Sequence, residues 1–485
     1  MLRKYQVIRW LGIMALPLCV FGTDGMNLEG WGPVSTSLGG ASMAFDNGLA
    51  AVMNNPATLV YMKDGKAQFE FAIRRLGPDV ETSVYTPQGE LIATSMSDAF
   101  YMPSLAWAKR RGNLVYGVGM YAQGGMGCEY PADSWLGMDY GLTQRSEVSV
   151  GRVIAPIAYR LNERMSIAGS FDLVWAGLDL QMALNQAQFV DMANPMAQNI
   201  GAVSGTMIQA LGSMFEPFGG QGIQSMNYAY FDFSNDSDFT GASRGYGIAG
   251  KFGFLYRASD RFSIGGTIHS KTYLQDLEAR HASMTMSVRM DTGLAQGQMP
   301  SGTYADVTVP LTGKVAVRDF QWPWTFGLGM SYAISDQTML VGDFKFYQWS
   351  DVMDDFVMSF DVGQASHNGN FAGLNMEATL FQNWDDQAVY ALGVSHQMRH
   401  LSVRGGVNLT DNPIPDAYLN ALFPAIVEDH ITAGLSYPVG PGAAHLALVY
   451  SLQNEATNPG NGTTIPAVTS THEQLNWSLQ YSLDF

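Results

Sequence analysis

Hydrophobic and polar side chains alternate along most of this chain, and the last thirteen residues show the pattern most clearly. Every second residue of segment 473–485 is apolar: Leu475, Trp477, Leu479, Tyr481, Leu483 and Phe485. The residues between them are polar, from Gln474 to Asp484. Successive side chains of a β-strand point to opposite faces, so this strand places one face in an apolar medium and one in a polar medium.

Segments 114–123, 338–349 and 401–409 alternate in the same way. In 338–349, for example, Phe344 and Phe346 share one face and Lys345 lies on the other. Inward charged residues are expected in a membrane barrel with a polar lumen. After residue 22 the chain has no run of 18 consecutive apolar residues, so transmembrane helices are not predicted.

Short polar turns alternate with long stretches that we predict to be irregular. The six turns are 109–113, 161–164, 258–261, 334–337, 397–400 and 438–443. The seven long stretches lie near 77–97, 124–142, 182–241, 274–320, 351–383, 410–428 and 453–472. This order predicts an all-β fold, a 14-stranded antiparallel transmembrane β-barrel over residues 67–485, and the even number lets the first and last strands pair.

Segment 23–66 shows no strand-like alternation. It is rich in Gly, Ala, Ser and Asn, and its apolar residues come singly or in short bursts. We interpret it as an N-terminal plug around which the strands close.

Residues 1–22 have the layout of a secretory signal peptide. Three basic residues precede an apolar run too short to span a bilayer, and cleavage is expected after Gly22. A lipoprotein signal at Cys19 is disfavoured by the bulky Leu18 before it. The mature chain then keeps one cysteine, Cys128, and forms no intrachain disulfide.

The chain is acidic, with 26 Lys and Arg against 43 Asp and Glu and a net charge of −17. Cleavage after Gly22 removes three basic residues and no acidic one, which changes this value to −20. Nucleic-acid binding needs clustered Lys and Arg, so that class of function is excluded. By simple charge attraction, anionic lipid surfaces are not expected partners either.

Residues 181–226 break the alternation. They contain Met192, Met196, Met207, Met214 and Met226 and few β-branched residues. We predict one or two amphipathic helices in a long, partly helical external loop. Two roles stay open, because a flexible methionine surface suits varied hydrophobic ligands and methionine also fills ordinary packing gaps.

Several short motifs lie in a fixed order along the chain. The plug region contains Gly-Gly-Ala-Ser-Met-Ala at 39–44, Asp-Asn at 46–47 and the plug motif Asn55, Pro56 and Ala57. Further motifs lie at 116–121, 124–125, 129–131, 265–271, 343–350, 383–386, 404–406 and 413–416. Together they resemble the FadL/TodX family of outer-membrane transporters of long-chain fatty acids and other hydrophobic compounds.

The resemblance implies a kink in the third strand that opens the barrel wall sideways. Gln123, Gly124 and Gly125 match the kinked segment, so we expect the lateral opening there. Independently, glycines within a strand weaken its hydrogen-bond ladder and allow a bulge or kink.

Ligand contacts are predicted from the plug and from the inward faces of the strands. The predicted apolar contacts are Phe45, Met53, Tyr121 and Tyr347, and the predicted carboxylate partners are Arg152, Lys345 and Arg404. Each cation has a structural alternative, because lumen Lys and Arg commonly balance nearby acids.

Two motifs point weakly to other chemistry. Ser243 lies in a G-x-S-x-G sequence, which needs a strand before it and a helix after it, but here a loop precedes it and an alternating strand follows. His396 and His400 are four residues apart at a predicted turn, and no third ligand is evident. We therefore predict no metal, no cofactor and no enzymatic activity.

The sequence predicts an outer-membrane channel for passive uptake of hydrophobic compounds, with long-chain fatty acids expected first. External loops capture the solute, a lumen pocket holds it, and a wall opening releases it laterally. Burial of apolar surface, about 0.8 kcal/mol per methylene, drives this uptake. An aromatic-hydrocarbon channel, a general porin for small polar solutes, a barrel lipase and an adhesin or phage receptor stay open as alternatives.

The expected partners follow from this location. They are the hydrophobic solute, outer-membrane lipid and lipopolysaccharide, and the barrel assembly machinery. The terminal Phe485 after an alternating strand resembles the assembly signal of outer-membrane barrel proteins. We expect a monomer in the outer membrane of a Gram-negative cell.

Overall fold

The computed structural model describes residues 24–220, 222–235 and 241–485. The predicted signal peptide lies outside these residues. Among the helices in these ranges, none is long and apolar enough to cross a membrane.

One continuous sheet holds all the strands described. The strands are β1 (Ala67–Leu76), β2 (Pro78–Thr86), β3 (Gly89–Thr94), β4 (Phe100–Arg111), β5 (Leu114–Gly124), β6 (Gly127–Tyr130), β7 (Gln144–Arg160), β8 (Met165–Leu184), β9 (Gly201–Ser204), β10 (Ile223–Phe233), β11 (Ser243–Arg257), β12 (Phe262–His269), β13 (Tyr273–Leu274), β14 (Leu277–Asp291), β15 (Tyr304–Arg318), β16 (Thr325–Ala333), β17 (Thr338–Tyr347), β18 (Asp355–Val362), β19 (Asn375–Phe381), β20 (Gln387–Met398), β21 (Leu401–Thr410), β22 (His430–Val439), β23 (Gly442–Asn458) and β24 (Val468–Asp484).

The helices are short. The α-helices are α1 (Pro33–Thr36), α2 (Gln186–Ala193), α3 (Thr206–Gly212) and α4 (Thr292–Ala295). The 3₁₀ helices span Gly48–Val52, Pro56–Tyr61, Trp135–Gly137, Glu216–Phe218, Trp349–Asp351, Ser366–Phe371 and Asp416–Tyr418.

Antiparallel pairing closes the sheet into a barrel. The pairing runs in the order β1–β4–β5–β7–β8–β11–β12–β16–β17–β20–β21–β22–β23–β24. β24 then pairs with β1, from Asp484 opposite Gln68 to Trp477 opposite Arg75. This last pairing removes the open edge that either terminal strand would otherwise present.

The prediction of a 14-stranded fold is wrong, because the sheet contains 24 strands. The prediction treated the long stretches as irregular, yet several of them continue the sheet beyond the ring. Stretch 274–320 forms the hairpin of β14 and β15, paired from Leu277 opposite Val317 to Asp291 opposite Tyr304. Its buried Met284, Met286 and Val288 alternate with more exposed neighbours over most of their run, which is the period of a strand.

The six predicted turns are confirmed, and each joins two consecutive ring strands. They lie at the same end of the barrel as the start of β1 and the end of β24, where the Ala67 N–H donates to the Phe485 carbonyl over 2.8 Å. Short turns mark the periplasmic end of an outer-membrane barrel, and long connections mark the outer end.

The segment that starts at Asp24, the predicted plug, forms α1 and two 3₁₀ helices. It contacts ring strands on several sides, among them β1, β17 and β21. Its apolar side chains are buried against the wall, among them Leu49, Val52 and Leu59. Asn55 of the plug motif caps the second 3₁₀ helix by accepting from the Ala57 N–H. Its Nδ2 also donates to the carbonyl of Phe254 in β11 over 2.9 Å, which joins the plug to the wall.

The predicted helices of the methionine-rich loop are α2 and α3. Asn185 and Gln188 form a capping box at the start of α2. Met192 and Met207 are buried among the apolar residues under the external strands, whereas Met196 is exposed. At least these two methionines therefore fill the core of the outer half of the molecule.

Candidate functional site

An apolar cavity lies between the start of the plug, the break between β5 and β6, and the external connections. Its apolar lining includes Met26, Leu28, Leu76, Met126, Val148, Phe320, Met353, Phe356, Leu380, Trp384, Leu422 and Phe423. The buried free thiol of Cys128 also lines it. Glu29, His430, Asn27, Gln382, Asn420 and Gln474 supply its polar side chains.

A cluster of aromatic rings forms one side of this cavity. Trp349 packs edge-on against Trp322 and Trp384, with ring centroids 5.7 and 5.3 Å apart. Phe320 packs on Trp322 at 6.3 Å, and Phe320 and Trp384 face the cavity as lining residues. Offset and edge-on aromatic pairs add to the stability gained from burial, so this side of the cavity is rigid.

Three buried nitrogen atoms among the lining residues have no hydrogen-bond partner within the described part of the chain. They are Asn27 Nδ2, Trp384 Nε1 and His430 Nδ1. An unpaired buried donor costs about 1–3 kcal/mol. The cavity can therefore accommodate a hydrogen-bond acceptor as well as apolar groups.

The first residues of the plug are fixed by polar contacts with the wall. Tyr347 donates to Asp24 Oδ2 over 2.9 Å, and Lys345 Nζ donates to the Glu29 carbonyl over 2.8 Å. Arg74 forms a buried two-pronged ion pair with the Glu29 carboxylate. Burial raises the pKa of Asp24 to about 6, against the opposite effect of Lys345 and Tyr347. Burial also disfavours the charged form of Glu29, but the adjacent Arg74 lowers its pKa below the ordinary value.

The barrel wall has a gap between β4 and β5. The two strands pair only from Leu105 opposite Met120 down to the turn, while the rest of β4 pairs with β1. Above the gap the connection before β4 meets β6, where the Met96 N–H donates to the Glu129 carbonyl over 2.7 Å. A second cavity fills this gap and shares Gly125 and Val148 with the apolar cavity.

The wall bends at the segment predicted to form the lateral opening. The ladder between β5 and β7 shifts register between Ala122 and Gly124, and Gly125 has a φ of +125°. That conformation favours glycine. A Cβ on Gly124 would lie 2.0 Å from the Met26 carbonyl oxygen, so the plug backbone touches the wall here. Lateral release through this place stays a prediction.

Gln123 is fixed by a buried polar network in the wall. Arg152 donates through Nε to the Gln123 amide oxygen and through its Nη1 to Asp172 over 3.1 Å. His269 Nε2 lies 2.8 Å from the same Asp172 oxygen. Since an ion pair this deeply buried is stable only when it is fully paired, the network makes the geometry of Gln123 rigid.

The predicted ligand residues are dispersed, and their assignment stays a prediction. Tyr121 lines the gap and donates to the Leu49 carbonyl over 3.0 Å. Phe45 and Met53 pack in separate plug–wall clusters. Arg404 is partly buried and donates to Ser436 over 2.6 Å. With Lys345 and Tyr347 at the plug and Arg152 in the wall network, none of the seven residues lines the apolar cavity.

Sequence reasoning found Gly125, predicted for the lateral opening, but missed the other residues that line this cavity. Asn27 accepts from Trp322 Nε1 over 2.7 Å and from Gln123 Nε2 over 3.3 Å, although these residues are 295 and 96 positions away. The only signal in the sequence was the concentration of tryptophan and phenylalanine at 320–324 and 344–349.

The two weak motifs have structural roles in the fold. Ser243 is buried at the start of β11, and its hydroxyl donates to the Leu178 carbonyl over 2.8 Å. His396 lies within hydrogen-bond distance of Thr338, and His400 is exposed in a turn.

Comparisons with known proteins agree with this architecture. The family model described as outer membrane protein transport protein (OMPP1/FadL/TodX) matches residues 25–462. The toluene transporter TbuX from Ralstonia pickettii is 27% identical, with a TM-score of 0.70 over 95% of this chain and 99% of that one. The P. putida toluene transporter TodX is 24% identical, with a TM-score of 0.75 over 95% and 99% of the two chains.

Two further matches are more distant or shorter. A Pseudomonas aeruginosa FadL homologue shares 13% identity and a TM-score of 0.66, over 94% of this chain and 99% of that one. An uncharacterized protein from Chlorobium limicola, from the 5′ region of a phosphoenolpyruvate carboxykinase gene, is 55% identical over 60 residues. That match spans 12% of this chain and 30% of the relative's length.

Proposed function

This chain belongs to the OMPP1/FadL/TodX family of outer-membrane transport proteins, and from that premise we propose that it takes up small neutral hydrophobic molecules such as monoaromatic hydrocarbons. It is an outer-membrane transporter of hydrophobic compounds and not an enzyme. The proposal concerns the substrate class and the path that the substrate takes.

The charge of the cavity lining carries the proposal. Among the described residues that line the apolar cavity, Glu29 is the one with a carboxylate or a Lys or Arg side chain. Its carboxylate is already paired with Arg74, so no Lys or Arg among the described lining residues is left to neutralise an ionised fatty acid, whose buried charge would stay unpaired at a high cost. A neutral aromatic molecule meets phenyl and indole rings instead, and burial provides about 25 cal/mol per Å² of apolar surface.

The path follows from the two adjoining cavities. A molecule in the apolar cavity reaches the wall gap past Gly125 and Val148, which line both spaces. The outer side of the gap is formed by Tyr101, Met102 and Pro103 of β4, and Tyr101 is exposed. We propose that the molecule leaves there, into the hydrocarbon region of the membrane, and does not cross the plug.

TbuX, the 27% identical relative, is described as a toluene transporter, which supports an aromatic substrate. The predicted long-chain fatty acid is the second candidate. The unpaired nitrogens of Asn27, Trp384 and His430 favour it, because they could bind the oxygen of a protonated carboxylic acid.

Uptake by whole cells tests the proposal. A Gram-negative strain that lacks its own hydrophobic-compound channels would express this chain and receive radiolabelled toluene, oleate or glucose. The matched variants are Met126→Glu, which puts a charge into the cavity, and Met299→Glu, which puts the same charge on an exposed loop. We expect rapid toluene uptake that Met126→Glu lowers at least tenfold and Met299→Glu leaves unchanged.

The other outcomes distinguish the alternatives. Oleate uptake without toluene uptake would establish the fatty-acid candidate and reject the aromatic one. Glucose uptake without either hydrophobic solute would reject both, in favour of a porin.

A further inference from the structure

Three neighbouring turns at the periplasmic end carry an unusual concentration of positive charge. They join β4 to β5, β7 to β8 and β11 to β12. Segments 109–113, 160–165 and 257–262 contain seven basic residues, which we call the basic crescent, and two acidic residues, Glu163 and Asp260. The basic crescent consists of Lys109, Arg110, Arg111, Arg160, Arg164, Arg257 and Arg261.

The basic crescent contrasts with the rest of the molecule. The whole chain has 43 acidic residues against 26 Lys and Arg. The other three periplasmic turns, 334–337, 397–400 and 438–443, contain one Lys or Arg residue, Arg399. Among these six turns, positive charge is therefore concentrated on one side of the barrel, below the wall gap between β4 and β5.

Part of the basic crescent has a structural role. Arg110 donates to the carbonyls of Val60 and Met62 over 2.9 and 2.7 Å, and Arg160 donates to Val60 over 2.7 Å. These bonds cap the end of the second 3₁₀ helix of the plug, Pro56–Tyr61. The guanidinium groups of Arg110 and Arg160 form no ion pair with a carboxylate in the part of the chain that the structure describes.

Four members point away from the plug or lie in the exposed turns: Lys109, Arg111, Arg164 and Arg261. The last three are exposed, and within the described residues none of the four pairs with an acid. Asp64 is a nearby acid, since it accepts from the Gly112 N–H in the β4–β5 turn, but no ion pair in the described residues holds these four side chains. An external anion can therefore reach them at the rim of the barrel.

The depth of these side chains identifies the anion. Trp107 shares the outer face of β4 with Lys109 and Arg111, and it packs edge-on against Tyr116 of β5 at 6.0 Å. Tyr159 and Tyr256 are exposed on the outer faces of β7 and β11. Tyr and Trp mark the boundary between hydrocarbon and head groups. Lys109 and Arg111 follow Trp107 toward the turn, so they lie beyond this boundary, at the depth of phospholipid phosphates.

We infer that the basic crescent binds the phosphates of anionic phospholipids in the inner leaflet of the outer membrane. Each basic residue near an anionic membrane surface contributes on the order of a fivefold gain in affinity. The overall acidity of the chain does not prevent this binding, because exposed charges farther than a Debye length of about 8–10 Å from the rim are largely screened. The lipid would then be held on the side of the barrel that contains the wall gap.

Native mass spectrometry of the purified full-length protein tests the inference. The protein in neutral detergent would be titrated with phosphatidylglycerol or phosphatidylcholine of identical acyl chains. The test variant is Lys109→Gln/Arg111→Gln/Arg164→Gln/Arg261→Gln, which leaves the plug-capping arginines intact. The control variant, Arg280→Gln/Arg289→Gln/Lys314→Gln/Arg399→Gln, removes the same charge elsewhere. Heat-modifiable gel mobility confirms folding of each.

We expect the wild type and the control to prefer phosphatidylglycerol at least tenfold, and the test variant to lose that preference. Equal binding of both lipids by the wild type, or an unchanged preference in the test variant, would overturn the inference. Soluble glycerol phosphate that competes as well as the lipid would reject a membrane source. If the test variant does not fold, the wild type alone decides. Its preference for phosphatidylglycerol must decrease when NaCl is raised from 50 to 500 mM, and a preference that does not depend on salt contradicts the inference.

Discussion

Asn27 of the plug and Gln123 of the wall meet at the edge of the wall gap, where Gln123 Nε2 donates to Asn27 Oδ1 over 3.3 Å. The same oxygen accepts from Trp322 Nε1 over 2.7 Å. On the wall side, Gln123 accepts from Arg152, which is paired with Asp172. One polar chain therefore connects the buried charges of the wall, the kink and the aromatic side of the cavity through a single plug residue.

Replacing Asn27 by Ala is expected to loosen the start of the plug. Removing the shared acceptor leaves two buried donors unpaired, and each costs about 1–3 kcal/mol. Hydrogen exchange of amides near residues 24–32 should become at least tenfold faster, while strand amides of the ring stay protected. Asn113→Ala, in an exposed turn, is the matched control. Unchanged exchange in Asn27→Ala would show that this contact does not hold the plug.

Docking of the plug is expected to depend on pH through Asp24. Its pKa is about 6 in the docked plug because burial disfavours the charged form, against 3.8 ordinarily. Asp24 therefore binds its proton more tightly in the docked plug than in the free one. The stabilisation that this proton gives to docking is fully present below the ordinary pKa of 3.8 and is lost as the pH rises through about 6.

The comparison with Asp24→Asn isolates this effect. The unfolding temperature of the variant minus that of the wild type should increase between about pH 4 and pH 7, because the asparagine stays neutral. Gel mobility after heating at each pH gives both temperatures. A difference that does not change with pH would assign the pH dependence to other groups.

Arg152→Met is expected to be strongly destabilising. It leaves Asp172 buried without its guanidinium partner, a loss of about 3–5 kcal/mol, and it frees the Gln123 side chain. Arg404→Met should cost much less, since Arg404 is bonded to the Ser436 hydroxyl and forms no ion pair among the described residues. Urea unfolding in detergent, followed by tryptophan fluorescence, measures both; equal losses would argue against the network.

Trp384→Phe separates apolar from polar recognition in the cavity. The change keeps an aromatic ring but removes Nε1, a buried donor that has no partner within the described residues. Binding of toluene should change less than twofold. Binding of benzyl alcohol should weaken about three- to tenfold, the value of one net hydrogen bond. Equilibrium dialysis with radiolabelled ligands gives both dissociation constants. An equal loss of affinity for toluene and benzyl alcohol would mean that the ring packing, and not a hydrogen bond, determines binding.

The parts of the fold that could be predicted are those with local signals. The alternation of β24, the six short turns and the helices of the methionine-rich loop all follow from residues close in sequence. The total strand number was not counted correctly, because the stretch that contains β14 and β15 was interpreted as one irregular connection. Their alternation at 284–288 is visible in the sequence, but the methionines and serine there are not among the residues enriched in strands.

The site was less predictable than the fold. Lys345 and Tyr347 were correctly placed on an inward face, but an inward face does not reveal whether a ligand or the plug covers it. Here Asp24 and Glu29 of the plug meet these two side chains. Such contacts depend on how a segment without strand periodicity folds inside the ring, which no local pattern determines.

The most direct test of the proposed path is toluene uptake by the Gly124→Val variant, with Gly169→Val as the control. Gly124 lines the wall gap and Met26 lines the apolar cavity. A side chain at 124 would collide with the Met26 carbonyl, whereas a Cβ at 169 in β8 has no atom closer than 3.7 Å. Heat-modifiable gel mobility would establish that both barrels fold. We predict that Gly124→Val loses at least nine-tenths of toluene uptake while Gly169→Val retains it. Wild-type uptake in a folded Gly124→Val barrel would contradict lateral release through the wall gap.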